Sequence, residues 1–134
     1  MAKSNVLIVG LNGLGVETAK NVILAGVKSV TLHDDTPSTM NDLSSQFYLT
    51  EADLGRPRGE VSGPRLAELN PHVPVNVITG DIHLETLRAY TVVVLIEIPL
   101  TEQLLISQFC HDEGIMFISS DVRGVFSSIF CDFG

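Results

Sequence analysis

The alternation of apolar and polar positions along the chain predicts strands separated by helices. Short, continuous runs of aliphatic and β-branched residues are typical of strands covered on both faces. They occupy residues 5–9, 29–33, 75–78, 91–96, 115–119 and 125–130. Apolar residues at helical spacing occupy residues 14–25, 64–69 and 101–113, and weaker helical patterns occupy residues 40–48 and 83–88. We expect the helix at residues 64–69 to begin at Pro64, because proline is tolerated in a first helical turn.

The order of these elements predicts one α/β domain. Strands that alternate with helices pair in parallel through right-handed crossovers. A chain of 134 residues has room for one domain of ordinary size. We therefore predict a single Rossmann-like domain over residues 1–134, with a mostly parallel sheet and helices on both faces. Residues 129–134 carry neither a terminal helix nor a polar tail, so we expect the domain to be truncated.

A glycine-rich turn lies directly between the first predicted strand and the first predicted helix. Residues 10–15 read Gly-Leu-Asn-Gly-Leu-Gly and match GxGxxG, a turn that brings backbone amides and a helix N-terminus close to a phosphate. An aspartate ends the second strand about twenty residues later, where a carboxylate can hold ribose hydroxyls. The sequence therefore predicts a nucleotide cradle formed by Gly10, Gly13, Gly15 and Asp34.

Composition narrows the classes of function. Apolar residues make up 45% of the chain and charged residues 18%, which supports a packed core. The net charge of −8 argues against a nucleic-acid surface, because phosphate binding uses clustered lysines and arginines. We find no apolar run long enough for a membrane span. Cys110 and Cys131 form neither a disulfide framework nor a zinc spacing, so we expect core residues in a reducing, intracellular location.

Several strings of residues closely resemble the ubiquitin-activating enzyme family. They cover residues 4–25, 42–49, 66–71 and 130–134. More narrowly, they resemble the first adenylation repeat of that family, which is usually called inactive. The resemblance implies a fold like that of the ThiF and MoeB adenylating enzymes. It also implies a parent protein in which a second repeat binds ATP and magnesium and adenylates ubiquitin, and in which a cysteine of a separate domain then forms the thioester.

Departures from the active repeats of that family point to the inactive one. Active repeats carry a second aspartate where this chain has Thr36, and a magnesium-binding aspartate where it has Leu100. In the active repeats, an asparagine and an arginine of one stretch bind phosphates. The corresponding positions of this chain read Asp42, Ser44 and Ser45, and only the following Gln46-Phe47 matches. The resemblance therefore implies a vestigial cradle, with no catalytic residue and no metal ligand in this chain.

The charges available near the glycine turn also support the expectation that the cradle is vestigial. A triphosphate carries about four negative charges, and a helix N-terminus contributes only about 1–2 kcal/mol to holding it. Micromolar binding needs roughly 8 kcal/mol. Arg56 and Arg58 lie near the lysines that active repeats place after this loop, but we expect a surface pair. Glu97 could replace the lost metal ligand, although one carboxylate makes a poor magnesium site. We expect no cofactor in this repeat.

The resulting hypothesis is a scaffold that buries one face against the active repeat of its parent and contacts ubiquitin only indirectly. It implies an exposed apolar patch, and self-association when the chain is made alone. The resemblance implies a cytoplasmic and nuclear location. Two alternatives stay open: an active adenylating enzyme that binds ATP as a homodimer, and a dehydrogenase-type NAD domain that depends on the glycine turn and Asp34 alone.

Overall fold

A computed structural model describes residues 3–44, 46, 48–123 and 126–132, which form a layered α/β structure around one six-stranded sheet. The strands are β1 (Asn5–Val9), β2 (Ser29–His33), β3 (Val75–Val77), β4 (Val92–Ile96), β5 (Met116–Arg123) and β6 (Phe126–Asp132). The helices are α1 (Gly13–Leu24), α2 (Arg58–Ala67) and α3 (Leu100–Glu113). Short 3₁₀ turns cover Met40–Ser44, Glu51–Asp53 and Leu84–Ala89.

The order of strands in the sheet confirms the Rossmann-like prediction. The strands lie in the order β3-β2-β1-β4-β5-β6. All pairs from β3 to β5 are parallel, and β6 runs antiparallel to β5 at the edge. Because β1 lies between β2 and β4, the chain reverses its direction of winding there. The carboxyl ends of β1 and β4 therefore flank a crevice of the kind that binds ligands in such sheets.

Alternate residues of β1 enter two separate apolar cores, one on each face of the sheet. Val6 and Ile8 pack in the core under α1 and α2, which also buries Ala19 and Leu66. Leu7 and Val9 pack in the opposite core, with residues of α3 and of the Leu84–Ala89 turn. Burial on both faces explains why β1 is a continuous apolar run rather than an alternating one. In the described part of the chain, no helix has both the length and the apolar composition that crossing a bilayer requires.

The expected start of α2 at Pro64 is wrong, because the helix begins at Arg58 and contains the proline. Proline removes the backbone N–H that would bond to the carbonyl of Glu60. Both residues are exposed, so water can satisfy that carbonyl. Gly63 lies at a close approach of α2 to the sheet: a Cβ on it would lie 2.2 Å from Cγ2 of Val77 on β3.

The end of the sheet also differs from the sequence-based prediction. β5 continues through Arg123, beyond its predicted end at residue 119, because its extension pairs with β6 from Asp121 to Arg123. Residues 124 and 125, between these two strands, lie outside the described residues. Cys131 is exposed rather than in the core. It lies on an edge strand that has a neighbour on one side only, so an apolar run there does not imply burial.

A buried carboxylate joins the Glu51–Asp53 turn to α2. Asp53 is 3% exposed and accepts hydrogen bonds from the amide and the hydroxyl of Thr50, both at 2.8 Å. Arg65 of α2 donates to the same carboxylate at 2.7 Å and also to the carbonyl of Tyr48. The Arg65 guanidinium, together with the Thr50 amide, holds the pKa of the Asp53 carboxyl well below its usual range.

We expect this lowered pKa to make the protein less stable in acid. A carboxyl whose pKa is depressed by folding contributes stability that is complete above its unfolded pKa of about 3.9, and that is lost as the pH falls towards the folded value. Urea unfolding of the wild type and of Asp53→Asn at pH 6 and pH 3 measures this contribution. The wild type should lose more stability between the two pH values than the variant does. Equal losses would contradict the expectation.

Candidate functional site

A cleft of about 580 Å³ opens at the carboxyl ends of β1, β2 and β4, where the fold predicts a ligand site. Its polar and charged lining comes from His33, Asp34, Asp35, Thr36, Arg58, Asp81, Glu97 and Glu102. Its apolar lining comes from Val9, Ile82, Leu84, Leu95, Ile96, Ile98, Leu105 and Ile106. The cleft therefore combines an apolar wall with a largely acidic rim.

The glycine turn brings β1 and α1 into backbone contact. Gly10 has a φ of +98°, and a Cβ on it would lie 2.3 Å from the carbonyl oxygen of Ile96 on β4. A Cβ on Gly15 would lie 1.9 Å from the carbonyl oxygen of Gly10. No side chain fits at either position, which agrees with the roles expected for the first and third glycines. Gly13 is the first residue of α1.

Asparagine caps the helix that the glycine turn begins. The Asn12 side chain accepts a hydrogen bond from the amide of Gly15 at 2.9 Å. This is the usual arrangement of an N-cap, in which a side-chain oxygen binds one of the amides left unpaired at the helix start. In this structure the chain itself thus occupies an amide that a phosphate would use.

Asp34 is placed at the end of β2 as predicted, beside the glycine turn, and it is 5% exposed. Its Oδ2 accepts a hydrogen bond of 2.7 Å from the amide of Leu11, and its Oδ1 accepts one of 2.9 Å from the amide of Thr36. Both Nε and Nη2 of Arg58 lie 2.8 Å from Oδ2. The structure therefore brings Asp34 and the glycine turn together, as the sequence predicted, through a direct hydrogen bond.

The expectation that Arg56 and Arg58 form a surface pair is wrong for Arg58. Its side chain is 14% exposed and bridges two carboxylates, those of Asp34 and, at 3.2 Å, of Asp42. Arg56 is exposed and pairs with Glu60 on α2. The two arginines differ because Arg58 begins α2 beside the end of β2: its amide bonds to the carbonyl of Thr36 at 3.0 Å. No feature of the sequence distinguishes one arginine from the other.

Gln46 is a buried residue that holds the site together, and sequence reasoning noted it only as a match to a family motif. It is 1% exposed. Its Nε2 donates to the carbonyl of Leu11 at 3.2 Å and to Oγ of Ser62 on α2 at 2.7 Å. Its Oε1 accepts from the amide of Tyr48 at 2.8 Å. Gln46 thus ties the glycine turn to α2. Phe47, which matches the same motif, lies outside the described residues.

His33 and Asp35 organise the side of the cleft next to β2. Nε2 of His33 lies 2.6 Å from the carbonyl oxygen of Gly80, so this nitrogen carries a proton. Asp35 accepts a hydrogen bond of 2.8 Å from the amide of Gly80. Both contacts attach the Gly80 segment to the end of β2. They are consistent with a packing role for His33.

Glu97 lies at the rim of the cleft directly after β4, and it has a positive φ of 53°. Within residues 3–44, 46, 48–123 and 126–132, no group of three or more His, Cys, Asp or Glu side chains is arranged to hold a metal ion. Cys110 is in the core as predicted. Burial, with a smaller contribution from the carboxylate of Asp132, raises the pKa of its thiol to about 11, so it is not a nucleophile at neutral pH.

Comparison with known proteins agrees with this geometry. A model of the ThiF family matches residues 1–131, and the chain therefore belongs to the ThiF family. A solved structure, that of E. coli MccB with succinimide, matches with a TM-score of 0.81 and covers 96% of this chain and 41% of that chain. Its sequence identity is 18%, so this likeness shows the fold alone.

Curated relatives confirm the resemblance to ubiquitin-activating enzymes. The chain is 56% identical over 131 residues to ubiquitin-like modifier-activating enzyme 1 of Rattus norvegicus and of Homo sapiens, matches that cover 98% of this chain and 12% of each relative. Ubiquitin-activating enzyme E1 1 of Schizosaccharomyces pombe is 55% identical over 134 residues, which are 100% of this chain and 13% of that protein. The chain thus spans about one eighth of the length of these relatives.

Proposed function

We propose that this chain is the non-catalytic adenylation repeat of a ubiquitin-activating enzyme, and that it serves as a scaffold for a catalytic repeat. The charge of the cleft carries the proposal. Among the described residues that line it, five have carboxylates and one has a guanidinium. That guanidinium belongs to Arg58, which already bridges Asp34 and Asp42. ATP and magnesium would then bind in the other repeat of the parent, with ubiquitin as the substrate.

Electrostatics supports this assignment. Two like charges about 4 Å apart repel by about 1 kcal/mol in water and by about 4 kcal/mol at the effective dielectric of a protein surface. A triphosphate in this cleft would approach Asp35, Glu97 and Glu102. The amides at the start of α1 contribute at most about 2 kcal/mol to anion binding. Repulsion by the rim therefore outweighs the attraction of the helix terminus.

A calorimetric titration with ATP and magnesium tests the proposal. We expect no binding tighter than about 100 μM, because the cleft lacks the roughly 5.5 kcal/mol that such an affinity needs. Tighter binding would overturn the proposal and favour the alternative of an active adenylating homodimer. Binding of NADH in a parallel titration would favour the dehydrogenase alternative instead.

The exposed leucines of α3, of which Leu105 also lines the cleft, support the scaffold part of the proposal. Leu100, Leu104 and Leu105 are between 60% and 67% exposed. Their neighbours Ile106 and Phe109 pack against the core with Cys110, so α3 carries apolar residues on more than one side. A helix of this composition is normally covered on several sides. We propose that the catalytic repeat covers the three exposed leucines, which we call the α3 leucine patch.

Without that partner, we expect the α3 leucine patch to cause self-association. Burying an exposed leucine contributes about 1.5–3 kcal/mol, and about 1.4 kcal/mol already changes an association constant tenfold. The triple variant Leu100→Ser/Leu104→Ser/Leu105→Ser should therefore associate at least tenfold more weakly in sedimentation equilibrium. Leu24→Ser on α1 removes a leucine that is 55% exposed outside the patch, and should change association little. A wild type that stays monomeric at all concentrations would contradict this expectation.

A further inference from the structure

We infer that Arg58 determines the specificity of the cleft, because its guanidinium occupies the carboxylate of Asp34 and thereby closes the site to ribose. The inference rests on the proposed function and deepens it. The acidic rim opposes the phosphates of a nucleotide, but it does not oppose a neutral nucleoside. The contact between Arg58 and Asp34 is a separate feature that would exclude the nucleoside as well.

Most of the acceptor capacity of Asp34 is already used, and Oδ2 is fully occupied. An ionised carboxylate offers about four lone-pair positions for hydrogen bonds. Three N–H groups donate to this one: the amide of Leu11 and Nε of Arg58 to Oδ2, and the amide of Thr36 to Oδ1, at 2.7 to 2.9 Å. Nη2 of Arg58 also lies 2.8 Å from Oδ2. The 2′- and 3′-hydroxyls of a ribose would donate two further hydrogen bonds at the same place. While Arg58 is bound, Oδ2 is occupied and one position on Oδ1 remains, which is too few for both hydroxyls.

Arg58 is held firmly in this arrangement. Its backbone amide donates to the carbonyl of Thr36 at 3.0 Å, and the next amide, that of Gly59, donates to the carbonyl of Asp34 at 2.9 Å. Its side chain is 14% exposed, and Nη1 contacts Asp42 at 3.2 Å. The start of α2 is therefore fixed against the end of β2. Movement of the guanidinium away from Asp34 would break its contacts with that buried carboxylate.

Removal of the guanidinium should leave a site suited to a nucleoside. Asp34 would keep its two backbone donors, which orient the carboxylate, and would then have one free acceptor position on each oxygen. The cleft of about 580 Å³ beside it has an apolar wall formed by residues such as Ile82, Leu95 and Ile98. An apolar wall with a few placed polar groups is the usual composition of a small-molecule site. Adenosine, which carries no charge, fits this chemistry.

Titration of the Arg58→Met variant with adenosine, followed by NMR, tests the inference. We expect at least tenfold tighter adenosine binding than in the wild type, and a smaller gain for AMP because of the acidic rim. Arg56→Met is the matched control: it removes the same charge two residues away, from a side chain that is 52% exposed and bound to Glu60. The control should show no gain. Equal binding of adenosine by Arg58→Met and the wild type would overturn the inference.

A second measurement uses the unmodified protein, so it does not depend on how well the variant folds. The Nε–H signal of Arg58 should stay unchanged when millimolar adenosine is added to the wild type. A shift of that signal would show ribose at Asp34 and overturn the inference. The ATP titration separates this result from the proposed function. Tight ATP binding by the wild type defeats the proposed function, whereas failure of Arg58→Met to bind adenosine defeats only the role of Arg58.

Discussion

Replacement of Gly15 by alanine is expected to destabilise the protein by about 4 kcal/mol or more, which lies at the upper end for a single substitution. The new Cβ would lie 1.9 Å from the carbonyl oxygen of Gly10 and 2.8 Å from its carbon. Both atoms belong to the backbone, so no side-chain rotation relieves the overlap. α1 would have to move away from β1, and that movement would open the core around Val16 and Ala19.

Gly26→Ala provides the matched control for this substitution. Gly26 follows α1 with a φ of +80°, and no atom lies within 4 Å of the position of a Cβ. Alanine at this position should lower the free energy of unfolding by about 1–2 kcal/mol, because only the left-handed backbone conformation opposes it. Urea unfolding of both variants measures the difference. If the two free energies of unfolding fall equally, steric contact at Gly15 is not what restricts that position.

The elements predicted best are those whose signal is local. β1 and β2 have the predicted bounds, because a buried parallel strand is a continuous apolar run that ends at a turn. The glycine turn was also predictable, since a strand, a GxGxxG sequence and a helix follow one another directly. α2 was misplaced because the general effect of a proline was applied at Pro64, whereas Pro64 and Glu60 are both exposed residues, where water can replace the lost hydrogen bond.

The features that the sequence did not reveal depend on contacts between distant residues. The position of Asp34 was predictable, but its partner Arg58 was not, because 24 residues separate the two. Arg56 and Arg58 have the same chemistry, and only the docking of α2 decides which of them is buried. Periodicity likewise indicates that Leu104 and Leu105 are apolar positions of a helix. It does not indicate whether they face this domain or another one.

Asp34→Ala is expected to destabilise the protein by about 3–5 kcal/mol, the range observed when one partner of a buried ion pair is removed. The substitution leaves the Arg58 guanidinium, 14% exposed, with the Asp42 carboxylate at 3.2 Å, and it deprives the amides of Leu11 and Thr36 of their acceptor. Asp35→Ala, at a side chain that is 45% exposed, should change the free energy of unfolding by about 1 kcal/mol or less.

A double-mutant cycle assigns this loss to the ion pair. If contact between Asp34 and Arg58 causes it, the double variant Asp34→Ala/Arg58→Met should lose less stability than the sum of the two single variants, because it leaves neither charge behind without the other. Additive losses would instead show that the loss of stability comes from the two backbone amides, which lose their acceptor. In that case the guanidinium would merely lie beside Asp34, and Asp34 would be open to the ribose that the sequence predicted for it.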